Sequence, residues 1–104
     1  MKLDLRLATE KVIDRLDLIA GIHRVIGSKA TIELAGFSDG GTFYHEVEAD
    51  GEYIEKAIEV DHLHGTLEVR RSDTANNIVN DLGGLKGIIE VVLWNEDKEF
   101  YWSI

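Results

Sequence analysis

Leu3, Leu5 and Leu7 alternate with Lys2, Asp4 and Arg6, a period of two that predicts a half-buried strand. Thr9 is placed to cap a helix over residues 10–26. On that helix Val12, Leu16, Ile19, His23 and Ile26 recur at three- and four-residue steps, with Ile13 and Ala20 widening the stripe. A start nearer Leu5 fits the same periodicity. Gly21 weakens the middle of this helix by about 1 kcal/mol relative to Ala, and Gly27-Ser28 ends it.

A meander is predicted next. Ala30–Ala35 alternates as a strand, and the glycine-rich stretch from Gly36 to Gly41 reads as a flexible loop. Thr42–Ala49 and Glu52–Val60 flank Asp50-Gly51, a dipeptide favoured in two-residue type I′ hairpins. Residues 53–58 also carry helical spacing, but the turn and the alternation of Ile54, Ile58 and Val60 favour a strand. A further strand spans Thr66–Arg71, with Leu67 and Val69 inward. Ser72 is placed to cap a helix over Asp73–Leu82, stopped by Gly83-Gly84. Ile88–Trp94 is the most apolar strand and is expected at the centre of the sheet. Asn95–Lys98 then turns into a last strand, Glu99–Ile104. The whole predicts one α+β domain over residues 1–104: an antiparallel sheet of five to seven strands with two helices packed on one face.

Composition narrows the function classes. The 104 residues contain no cysteine, which removes disulfides, thiolate nucleophiles and cysteine-ligated metals. No apolar run approaches the roughly 20 residues that span a bilayer, and the mixed-charge start does not resemble a signal peptide. A soluble, cytoplasmic protein with no membrane partner is the expectation. Net charge is −9, unevenly spread. Residues 1–29 hold six bases against four acids, whereas residues 30–69 hold ten acids against Lys56 alone. Such a field repels nucleic-acid phosphates and attracts a basic partner.

Candidate chemistry is sparse. On a strand, His62, His64 and Glu68 share one face, so two imidazoles and a carboxylate could converge on a divalent metal; Asp61–Gly65 reads equally as a hairpin loop. The spacing resembles the first metal motif of the cupins, His-x-His-x₃-Glu, over residues 62–68. Lys56 and Ala75 stand where that motif has glycines, and a chain without proline has no second cupin motif. Leu63, Leu67 and Val69 take the opposite parity and read as the buried side. His23 reads as a core-edge residue on the helix stripe, and His45 shares parity with Phe43 and Val47. Ser28 and Ser72-Asp73-Thr74 lack the glycine context of a nucleophile elbow. Gly83-Gly84-Leu85-Lys86-Gly87 follows a helix, whereas phosphate cradles open one. Trp94, Phe100, Tyr101 and Trp102 read as core and edge packing. No enzyme and no cofactor are expected.

The acidic hairpin carries more information. A two-residue loop at Asp50-Gly51 sets Val47 opposite Ile54 and Phe43 opposite Ile58 on one side. On the other it sets Glu48 against Tyr53, Glu46 against Glu55 and Tyr44 against Ala57. Glu46, Glu48, Glu55 and Glu59 around Tyr44 and Tyr53 thus form a self-repelling acidic and aromatic face, suited to a basic protein. In general profile the chain is similar to bacterial immunity proteins that neutralise nuclease toxins, and to phage-encoded inhibitors that imitate nucleic acid. The resemblance implies an inhibitor that masks a cationic site on a toxin, nuclease or nucleic-acid-binding complex. Two other readings stand beside it: a small metal- or ligand-binding domain using His62, His64 and Glu68, and a phage or bacterial structural subunit assembling through sheet edges.

Overall fold

A computed structural model describes residues 1–104. Its elements are β1 (Lys2–Glu10), α1 (Arg15–Ile26), β2 (Thr31–Ala49), β3 (Glu52–Glu68), α2 (Ser72–Gly83), β4 (Ile88–Trp94) and β5 (Glu99–Ser103). All five strands join one antiparallel sheet in the order β2-β3-β1-β4-β5. The fold is α+β, as the hydrophobic pattern predicts. The first six elements have the chain order and strand order of the split βαβ arrangement, and β5 extends its edge.

One face of the sheet is covered. Leu3, Leu5 and Leu7 of β1, Leu63 and Leu67 of β3, and Val91 and Leu93 of β4 point the same way. They meet Leu18, Ile22 and Ile26 of α1 and Ala75, Ile78, Val79 and Leu82 of α2 in a single buried cluster. Each leucine or isoleucine buried there contributes roughly 1.5–3 kcal/mol of transfer free energy. No helix is long and apolar enough to cross a membrane.

Several local expectations are corrected. Thr9 does not cap a helix: it is a buried β1 residue opposite Asp61 and Ile88. A strand paired on both sides engages its backbone donors and acceptors on each, and one cap bond does not compete with that. The helix starts later, with Asp14 as N-cap accepting from the Asp17 amide at 3.1 Å. That start rotates the buried stripe to Leu18, Gly21, Ile22 and Ile26. Val12 and Leu16 are left 91% and 79% exposed, and His23 is exposed as well, not at the core edge. Ser72 is the first helical residue of α2 and not its cap; its hydroxyl accepts from Lys98 Nζ at 2.8 Å. Gly83 belongs to the helix, where an added Cβ would fall inside the Trp102 ring. The central strand is β1; β4 lies one place from the edge.

The largest correction concerns residues 36–41, which are strand and not loop. Two β-bulges absorb the irregular pattern. Ala35 is extra between the pairs Leu34–Gly65 and Gly36–His64, and Gly40 between Asp39–Asp61 and Gly41–Val60. Each bulge switches side-chain parity, so one continuous strand carries a broken alternation. Four expected strands and the loop between the first two merge into β2 and β3, of 19 and 17 residues, and β3 ends at Glu68, three residues short of the expected Arg71.

Candidate functional site

The long hairpin outruns the rest of the sheet. β1 reaches β3 only as far as the pair Glu10–Val60, and the Lys11 amide adds one more bond to the Glu59 carbonyl at 3.0 Å. Beyond it, the eight pairs from Thr42–Glu59 to Ala49–Glu52 have no third strand. At about 3.4 Å per residue they form an arm roughly 25 Å long, which accounts for overall dimensions of 45 × 26 × 23 Å. Asp50 and Gly51 turn it with φ of 52° and 79°, the positive values a type I′ turn requires.

The register within the arm is the expected one. Val47 pairs with Ile54, Phe43 with Ile58, Glu48 with Tyr53, Glu46 with Glu55 and Tyr44 with Ala57. Because β3 has no bulge against β1 or β2 within the arm, its odd residues keep to the helix side and its even ones to the open side. The structure therefore brings Tyr44, Glu46, Glu48, Tyr53, Glu55 and Glu59 together on the helix side of the arm, all of them exposed. Tyr44 and Tyr53 are 63% and 74% exposed. None of the four carboxylates takes part in an ion pair; Glu59 alone has a side-chain partner, accepting from Thr42 Oγ1 at 2.7 Å.

The root of the arm is built differently, from residues whose pairing has no local signature. Asp61, almost buried, accepts from Arg15 at 3.0 Å, and the Arg15 guanidinium lies 4.3 Å from the centre of the Phe37 ring. Lys11 pairs with Asp39 at 3.1 Å and stands 4.0 Å from Asp61. The Gly41 amide, and then Lys11, hold Asp39 below the usual carboxylate range, while the bond to Asp39 raises Lys11. These contacts tie the approach to α1 against the arm. They also engage Lys11 and Arg15 with Asp39 and Asp61, and Lys56, the one cation within the arm, lies on its open side and pairs with none of the arm's carboxylates.

On the open side, the His62 and His64 rings meet edge to face with centroids 6.0 Å apart, and Ser38 Oγ lies 3.0 Å from His64 Nε2. Glu68 stands apart, four residues or about 13 Å further along the strand, between Lys2 and Thr31. Arg6 lies across from His64, paired with Glu90 at 3.0 Å, and Glu90 also accepts from the Tyr101 hydroxyl at 2.9 Å. No three His, Asp or Glu side chains are grouped to hold a metal ion.

Burial, and then the positive charge of Arg6 and the neighbouring His64, lower the pKa of His62 from 6.5. The unfolded chain therefore takes up this proton first as pH falls. The stabilisation from neutral His62 is complete above about pH 6.5 and is lost as pH falls through the lower folded value. The melting temperature is expected to decline between pH 7 and 5, and His62→Gln should flatten that decline; an equal slope in the variant would contradict this origin.

No protein-family model matches this chain, and no curated protein matches it significantly in sequence.

Proposed function

We propose that this protein acts by binding and not by catalysis, masking a cationic surface of a partner protein with the helix side of its projecting arm. The observation that carries this reading is a row of four unpaired carboxylates, Glu46, Glu48, Glu55 and Glu59, set around two exposed tyrosines. Glu46 and Glu55 stand directly opposite each other, which costs a few tenths of a kcal/mol up to about 1 kcal/mol in the free protein. A cationic partner relieves that repulsion on docking. The carboxylates then stand where phosphates would otherwise sit, and the tyrosine rings offer flat faces to guanidinium groups. The role is that of a cytoplasmic inhibitor of the immunity-protein or phage nucleic-acid-mimic kind. Its target would be a toxin, a nuclease or a nucleic-acid-binding complex.

Deca-arginine is a direct probe. It should bind in a salt-sensitive manner and more tightly than deca-lysine, because only the guanidinium stacks on Tyr44 and Tyr53. Binding that is indifferent to salt, or absent at low ionic strength, would rule the reading out.

A further inference from the structure

The other side of the arm has a different character. Facing the open side are Phe43 and Ile58 at the root, then His45 and Lys56, then Val47 and Ile54, then Ala49 and Glu52 at the tip. Phe43 and Ile58 rest on a small cluster of Ala8, Val60 and Ile89, but nothing covers Ile54, which is 49% exposed. A two-stranded ribbon with an uncovered apolar face is marginal in water by itself. The formal charges on this face, Lys56 and Glu52, cancel, in a chain that carries −9.

We propose that this face is covered by a second copy of the same chain, packed arm against arm. Two molecules of like charge approach each other most readily through a neutral apolar surface, and this one is self-complementary under a two-fold axis. With the axis crossing the strands at the Val47–Ile54 pair, two antiparallel arms lay β3 over β3. Ile54 and Val47 then meet their own counterparts. Lys56, two residues to one side of the axis, meets Glu52, two residues to the other side, in the second copy, and the pair occurs twice. Within one chain Lys56 and Glu52 are four residues apart on one strand, about 13 Å, and neither has an ion-pair partner. The acidic side faces outward on both copies, so the inference goes beyond the proposed function and stands or falls independently of it. A dimer would present two acidic faces to its targets.

Sedimentation equilibrium of the full chain over a range of concentrations reads the dimer directly. Wild type should dimerise, and Ile54→Glu should be monomeric with an unchanged far-ultraviolet circular dichroism spectrum. Lys56→Glu and Glu52→Lys should each weaken dimerisation by roughly tenfold, and the double exchange should restore most of it, as a paired contact requires. A wild type that stays monomeric up to about 1 mM, where even an association of that weak class would show, would overturn the proposal. A dimer that survives Ile54→Glu would overturn it too, as would a double exchange no better than the single ones. Deca-arginine binding by the Ile54→Glu monomer separates this outcome from the fate of the acidic face.

Discussion

Truncation of Leu7 to alanine is expected to cost about 2–5 kcal/mol of stability, whereas the same truncation at Ile54 should cost less than about 1 kcal/mol. Leu7 lies on the central strand between Leu63 and Val91, fully buried beneath the helices, so its removal leaves a cavity that neighbours on three strands cannot close. A domain of this size has about 5–15 kcal/mol in total, so the loss at Leu7 is a large share. Ile54 is half exposed on a ribbon with no layer over it and leaves no enclosed cavity. Urea unfolding at concentrations too low for self-association compares the two. Equal losses would mean that the arm belongs to the folding core, and its apolar side chains would then need no partner to explain them.

Charge removal on the opposite side of the arm should do the reverse, sparing stability and harming binding. The combined change of Glu46, Glu48, Glu55 and Glu59 to glutamine removes four carboxylates that make no ion pair in the folded chain and relieves the Glu46–Glu55 opposition. Stability is expected to stay equal or rise slightly, within about 1 kcal/mol. Association with a cationic partner or with deca-arginine should slow by roughly ten- to a hundredfold at low salt, with a much flatter dependence on ionic strength. Tyr53→Ala should act on dissociation, as loss of an aromatic anchor does. Unchanged association in the four-fold variant would leave these acids as solubilising charge only.

The parts of this fold that were legible in the sequence are those governed by short-range chemistry. The Asp50-Gly51 turn and strict alternation on either side set every cross-strand pair of the arm, including the acidic face, because hairpin register follows from the turn. Leu3, Leu5 and Leu7 announced β1 for the same reason. Helix α1 was legible in existence but not in phase: Val12, Leu16, Ile19 and His23 keep helical spacing as well as Leu18, Ile22 and Ile26 do. Only the tertiary contacts choose between the two stripes. The bulges at Ala35 and Gly40 disguised a strand as a loop, since each inverts the alternation that would reveal it. The Arg15–Asp61 pair joins residues 46 apart, and the Arg6–Glu90 pair residues 84 apart, so no local pattern could mark them. His62 and His64 were correctly placed on one face, yet the seven-residue motif could not show that an extended strand carries Glu68 out of reach.

The central claim is that recognition resides on the helix side of the arm. Backbone amide chemical shifts of the labelled protein, followed during titration with deca-arginine, test it most directly. The account predicts that the largest changes fall at residues 44, 46, 48, 53, 55 and 59 and collapse with added salt, while Asp4, Glu90 and Glu99 on the open side and Glu96 and Asp97 in the β4–β5 turn hardly move. Changes spread evenly over all the acids, or centred on Glu90 and Tyr101 across the sheet, would contradict it.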